Sequence, residues 1–165
     1  MAKVKGFRFE TRSLEVGIKQ FFTKSGISKG QPKGADLKAR QKVGLQLLNW
    51  TLEGSAKEKV VPPILDGILR GAGSVFIGSK MVGTSRSKYP GGTPNLSYVG
   101  HRDLITIGFN TAYAAKLHEK QWNPGPVSQQ SGDTGNKYIE KHLVADGEDL
   151  TALYAEFFKQ EVEKK

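Results

Sequence analysis

The sequence predicts an α+β fold: one domain over residues 1–165, with helices packed on a small, mostly antiparallel sheet. Three observations carry the prediction. Ala39, Val43, Leu47 and Trp50 recur at steps of four, four and three, the spacing of one helical face, and Leu48 and Leu52 widen that stripe. The runs Gly73–Gly83 and Asp103–Asn110 are rich in β-branched and aromatic residues, as strands are. Helical spacing then returns in Leu150, Leu153, Tyr154, Phe157 and Phe158.

Taken in order, residues 1–35 read as a basic segment able to act as a flexible arm. Within it, Leu14, Ile18 and Phe21 share one helical face, so a short helix is expected over Leu14–Phe22 with Gly26 as its stop. Residues 26–34 are turn formers and lysines, hence a loop. The long helix is expected over Asp36–Lys59, with Asp36 as N-cap and the pair Pro62-Pro63 forbidding its continuation. Gly67 and Gly71 bracket Leu69-Arg70 at a turn, where glycine takes φ values closed to other residues. The two strand-like runs suit an antiparallel pair, joined by a long projecting loop over 84–102 whose segment from Tyr89 to Pro94 cannot continue regular structure. A short helix over Ala112–Lys120 follows, then a Gly-, Pro- and Ser-rich stretch over Asn123–Gly135. A helix over Lys137–Leu143 and a last helix over Asp149–Val162 complete the pattern. Glu148 and Asp149 complement the dipole at the start of that last helix, and Glu161–Lys165 is expected to fray.

With 165 residues, 37% hydrophobic, the chain can bury a core without staples, and having no cysteine it must do so by packing and hydrogen bonds alone. Its apolar runs fall far short of the roughly 20 residues of a membrane span. The opening Met1-Ala2-Lys3-Val4-Lys5-Gly6 lacks the apolar stretch of a secretory signal, so the protein is expected to stay where it is made and to have a cytoplasmic origin. The net charge of +9 is unevenly spread: residues 1–42 sum to +8, 43–142 to +4 and 143–165 to −3. Such a gradient suits a basic arm lying either on a neighbour's acidic end or on DNA, and equally a solvated tail.

A search for chemistry returns no motif. The histidines His101, His118 and His142 lack metal-ligand spacing; His118-Glu119 starts like a zinc-protease helix, but the second histidine position is Trp122. Gly71-Ala-Gly73 lacks the third glycine of a dinucleotide fingerprint, Phe76 standing there, and Gly78-Ser-Lys80 has its serine on the wrong side for a phosphate loop. No Gly-x-Ser-x-Gly elbow occurs. Neither an enzyme, a cofactor nor a metal is expected. The residue set best suited to nucleic acid is Lys80, Arg86, Lys88 and Arg102 around the central loop, with Tyr89 and His101 and no nearby acid until Asp103. These cations can neutralise phosphates without reading bases, or simply be solvated.

Three ordered segments resemble the neck and tail-completion proteins of long-tailed bacteriophages, a family also described as minor capsid or head-tail joining proteins. The first is Val61-Pro-Pro-Ile-Leu-Asp-Gly-Ile-Leu-Arg-Gly-Ala-Gly-Ser-Val75, similar to the family's proline, Thr-Gly-x-Leu-Arg, Ser and strand pattern, with Asp66 in place of threonine. The second, Ile107-Gly-Phe-Asn-Thr-Ala-Tyr-Ala-Ala-Lys-Leu-His-Glu119, resembles its strand leading into a Tyr-Ala-x-x-x-His-Glu helix. The third, Gly135-Asn-Lys-Tyr-Ile-Glu-Lys-His-Leu143, is similar to its Gly-x-Lys-Tyr-Leu-Glu segment. The residues carrying the resemblance are Gly67, Leu69, Arg70, Tyr113, His118, Glu119, Lys137 and Tyr138.

From the residues alone, Arg70 is expected to bridge to a carboxylate and Tyr113 and Leu117 to cover the sheet. His118 and Glu119 should end a helix near Trp122, and Ile139 and Leu143 should face the core. The resemblance implies a structural virion protein forming an oligomeric ring at the head-tail junction. Such a ring seals the connector to the tail and lines the DNA channel. Its implied partners are further copies of itself, connector or head-completion proteins, tail terminator or tail-tube proteins, and, transiently, genomic DNA. The alternative is a sequence-independent nucleic-acid-binding protein.

Overall fold

The computed structural model describes residues 7–10, 33–64, 67–94, 105–131 and 133–164. The expected helix Leu14–Phe22, most of the loop over 26–34, and Asp66, His101, Arg102 and Asp103 lie outside the described residues.

The apolar stripe of the long segment forms helix α1, Lys33–Glu53. It starts three residues before the expected cap, so Asp36 sits in the first turn. There its Oδ1 accepts hydrogen bonds from Arg40 Nε (2.9 Å) and the Tyr154 hydroxyl (2.6 Å), the second of them long-range. It also ends six residues short of Lys59. Gly54 adopts a left-handed φ of +84 and its N–H donates to Trp50 O, a helix stop that needs no proline. The following turn is organised by Ser55, whose Oγ accepts the backbone N–H groups of Lys57 and Glu58.

Among the described residues the sheet has four antiparallel strands: β1 Phe7–Glu10, β2 Gly73–Ile77, β3 Lys80–Thr84 and β4 Ile105–Phe109, in the order β1-β4-β2-β3. Two expectations change here. Residues 7–10, read as part of a flexible arm, form an edge strand paired with β4. The run Gly73–Gly83, read as one strand, is a hairpin, because Gly78 takes a φ of +58 and turns the chain in two residues. The antiparallel pairing of the two strand-like runs holds, as β2 against β4, with Val75 opposite Ile107.

Period-two alternation puts Val75, Ile77, Ile105, Ile107 and Phe109 on one sheet face, and α1 covers it, with Leu48 reaching Gly73 at the start of β2. Gly44 permits the close approach: a Cβ there would lie 2.8 Å from Val75 Cγ1. On the side of α1 away from the sheet packs α6, Gly147–Glu163, burying Leu150, Tyr154 and Phe158. Each large apolar side chain removed from water contributes roughly 1.5–3 kcal/mol before conformational entropy opposes it. The end of α6 is not frayed at Glu161: the helix runs to Glu163 and Glu161 is buried.

Among the described residues, four short helices complete the fold: α2 Ile68–Gly71, α3 Ala114–Glu119, α4 Pro126–Ser131 and α5 Tyr138–Ala145. Within the Gly-, Pro- and Ser-rich stretch 123–135, Pro126 opens α4, a position where its missing N–H costs nothing. Ser128 holds α4 down by exchanging hydrogen bonds with both backbone groups of Ile64. Beside it, Val61 bridges Thr134 in parallel, through Val61 N–H to Asp133 O and Gly135 N–H to Val61 O. A buried polar staple then ties the 54–61 segment to the helices. His142 Nε2 donates to Val60 O (3.0 Å), its Nδ1 pairs with Asp146 (2.9 Å), and Asp146 accepts the Ser55 hydroxyl (2.8 Å).

Candidate functional site

Two clusters gather most of the residues singled out in the sequence. The first is built at the turn between α2 and β2. Gly67 enters α2 with a φ of +80, closed to most side chains, and Leu69 turns into the core. Gly71 is needed for another reason than φ. A Cβ on it would lie 2.1 Å from Tyr89 O and 2.5 Å from Gly92 N, because the central loop passes directly over it. Arg70 is buried, and burial pulls its guanidinium below its ordinary range. Among the described residues it does not bridge to a carboxylate: Nε and Nη2 both donate to Pro62 O (3.1 and 3.0 Å) while the plane lies over the Tyr89 ring. The side chain thus pins the segment before α2 to the loop after β3.

That pinning overturns the picture of a projecting loop for its described part, 85–94. Ser85 is buried; its hydroxyl donates to Arg70 O and accepts the N–H of Gly73. Gly92 is buried against α2, Pro94 is buried as well, and Asn110 Nδ2 donates to Thr93 O. The expectation that the loop cations lack an acid also fails, since Lys88 Nζ lies 3.2 Å from Glu53 and Tyr89 donates its hydroxyl to the same carboxylate. Lys80 and Arg86 are exposed, but at opposite ends of β3, separated by a strand that rises about 3.3 Å per residue. Lys80, Arg86 and Lys88 therefore do not form one patch, and Arg102 lies outside the described residues.

The second cluster joins α3 to α5. His118, fully buried, stands edge-on to Tyr138 with ring centroids 4.8 Å apart, and Tyr138 in turn meets Phe109 at 5.6 Å. Lys137 takes a left-handed φ of 53, which aims its N–H at His118 O (2.7 Å) and starts α5 at Tyr138. His118 Nδ1 pairs with Glu119 (2.9 Å), and Lys137 Nζ reaches Glu140 (2.7 Å) and Glu119 (3.9 Å).

The charge states follow from these contacts. Burial lowers the His118 imidazole pKa, with Glu119 only partly opposing, and burial pushes the Tyr138 phenol far up. Hydrogen bonding between Lys137 and Glu140 raises the first and lowers the second. The Tyr138 hydroxyl and Thr111 Oγ1 are buried without a hydrogen-bond partner among the described residues. Ile139 and Leu143 are in the core as expected and Leu117 packs against it, but Tyr113 is 40% exposed rather than laid on the sheet, while its neighbour Ala114 is buried. Trp122 folds back to donate Nε1–H to Leu117 O and lines a hollow of about 360 Å3 with Gln121, Asn123, Thr134 and Asn136.

Sequence reading missed a third constellation. Lys38 and Lys42 of α1 and Lys164 after α6 converge on the buried carboxylate of Glu161, at 3.2, 2.9 and 2.9 Å. The one signal present was the i,i+4 placement of Lys38 and Lys42; nothing local announced that Glu161 would lie beneath them. Among the described residues no group of three histidines or acids is placed to hold a metal ion, and no helix is long and apolar enough to cross a membrane. The chain matches no family model, no curated protein and no solved structure.

Proposed function

We propose that the chain is a structural subunit of a tailed-phage neck, one copy in a closed ring at the head-tail junction that seals the connector to the tail and surrounds the passing DNA. The observation that carries this reading is the mutual packing of the segments that bear the resemblance. Lys137 of the third segment bonds His118 of the second, Tyr138 packs on His118 and on Phe109 of the second, and the first supplies β2, which pairs with β4 of the second. Side chains that look like a motif in sequence are thus one connected scaffold, spent on holding a sheet and two helices in register. That is the use a ring subunit has for them.

On this reading the protein's work is assembly, not catalysis. Heterologous faces of identical subunits close by rotation into a ring, and connector or head-completion proteins on one side and tail terminator or tail-tube proteins on the other complete the stack in the virion. Contact with the genome is brief and blind to sequence, through cations facing the channel.

Imaging of purified virions, or of the protein mixed with connector and tail-tube proteins, by cryo-electron microscopy tests the reading. A closed ring of this chain at the neck is the expected result. A chain absent from the virion, monomeric in solution and binding DNA with strong salt dependence, overturns it in favour of the sequence-independent nucleic-acid-binding protein that the charge of +9 also suits.

A further inference from the structure

We infer that the Lys38, Lys42 and Lys164 cluster over Glu161 is a preorganised phosphate-binding surface for the nucleic-acid backbone; the inference rests on the reading of a subunit that surrounds DNA and names the face turned to it. The lysines come from two elements distant in sequence, and Glu161 gathers them. Its Oε1 accepts from Lys42 and Lys164, each at 2.9 Å, and its Oε2 faces Lys38 at 3.2 Å. The carboxylate side chain is 5% exposed, whereas those of Lys38 and Lys164 are 64% and 63% exposed. The anchor is therefore inside, Lys38 and Lys164 are outside, and Lys42, at 36% exposed, is half-buried.

A purely structural link between α1 and α6 needs one cation for one carboxylate. Here three ammonium groups share one, leaving a local surplus of two positive charges. Lys42 and Lys164 bond the same oxygen, and Lys38 and Lys42 also stand one turn apart on α1, where like charges repel. The surplus repulsion is relieved when an outside anion joins the group. Each ammonium carries three N–H donors, and Glu161 takes one from each, so the others remain to be offered outward. The Lys42 ammonium, 5.1 Å over the Phe157 ring, is further restrained in position.

Phosphate oxygens suit this arrangement better than a partner's carboxylates do. A duplex presents one charge per roughly 1.7 Å of axis and can engage several close ammonium groups at once, without the bidentate geometry for which arginine is preferred. The downward shift of the Glu161 carboxyl keeps the anchor charged throughout the physiological range. In the central loop, by contrast, Lys88 is already bound to Glu53.

The test measures binding of the full chain to a short labelled DNA duplex of mixed sequence across a salt series, with native mass spectrometry of the same samples. The variant Lys38→Gln/Lys42→Gln/Lys164→Gln is expected to lower the slope of log K against log salt by roughly two to three and to weaken low-salt binding by about tenfold or more. Arg86→Gln/Lys88→Gln is expected to leave the slope within about one of wild type. Because the triple variant risks loosening α6, Lys38→Gln and Lys164→Gln singly, at largely exposed side chains, are each expected to lower the slope by about one. Unchanged slopes in the variants, or no duplex binding by the wild type, overturn the assignment. So does a synthetic polyglutamate that binds as tightly as the duplex, which would reassign the surface to an acidic protein partner. Closed rings with unchanged slopes remove the site and leave the ring reading standing; monomers whose variants show reduced slopes keep the site and remove the ring.

Discussion

The central loop and the α1–α6 seam treat their cations in opposite ways. Lys80, Arg86 and Lys88 are neighbours in sequence, yet the hairpin sends the first to one end of β3 and the other two to the far end, and Glu53 takes up Lys88. Lys38, Lys42 and Lys164 are far apart in sequence, yet helix packing brings them onto one carboxylate. Clustering along a chain is a poor guide to clustering on a surface, because one hairpin disperses charge as efficiently as one helix pair collects it. The same seam answers a question of charge distribution: part of the basic first third is met by part of the acidic last stretch within the one chain, through Glu161.

The two regions also differ in what they add to apolar packing, close backbone contact in one and a buried carboxylate among lysines in the other, and perturbations should separate them. The largest effect is expected for Gly92→Ala, whose Cβ would lie 2.3 Å from Ala72 N and from Ile68 O. Relief requires the loop to leave α2, so a loss of about 3 kcal/mol or more is expected in chemical denaturation. Gly125→Ala, with nothing within 4 Å, serves as the comparison and should be close to neutral. Next comes Ser85→Ala, which strips the Gly73 N–H and Arg70 O of a buried partner; a cost of about 1–3 kcal/mol in the same assay is expected.

The seam should instead show itself in acid. Hydrogen bonds from Lys42, Lys164 and Lys38 bring the Glu161 carboxyl from the ordinary 4.5 down to about 2. Its contribution is therefore complete above pH 4.5 and is lost as pH falls through about 2. Melting temperature followed against pH should decline in that window for the wild type and less steeply for Glu161→Gln. His118 acts in a milder range. Its folded-state pKa lies below 6.5, so no cost appears above that pH, and stability falls as the unfolded chain takes up a proton that the buried ring resists. An NMR titration placing the His118 midpoint at or above 6.5 would contradict this. The smallest effect is expected for Lys88→Ala, a half-exposed ion pair worth roughly 0–1 kcal/mol in a double-mutant cycle with Glu53.

Much of the fold was legible because it rests on local periodicity. The stripe Ala39–Val43–Leu47 announced α1, and Leu150, Tyr154 and Phe158 announced α6. What was misread depended on events that periodicity does not record. Gly54 ended α1 early through its backbone geometry, and Gly78 split one apolar run into a hairpin. The candidate site was legible residue by residue but not in its purpose. His118, Tyr138 and Arg70 were found, yet their burial and their partners Pro62, Tyr89 and Phe109 are products of tertiary contact. Glu161, expected in a fraying end, is the plainest case: only the position of α1 beneath it makes it an anchor.

The position of α6 has a consequence in time. Of the described elements it is the last to be synthesised, and it covers the side of α1, the first long helix, that faces away from the sheet. Until the ribosome has delivered Leu150, Tyr154 and Phe158, that apolar flank of α1 has no cover, and the contact that closes it spans more than a hundred residues of chain, as Lys42 to Glu161 does. Such distant closure is slow relative to local helix formation. A nascent chain stalled before α6 would therefore present a sticky helix to whatever lies nearby, and the core of the protein is complete only when its final long helix has docked.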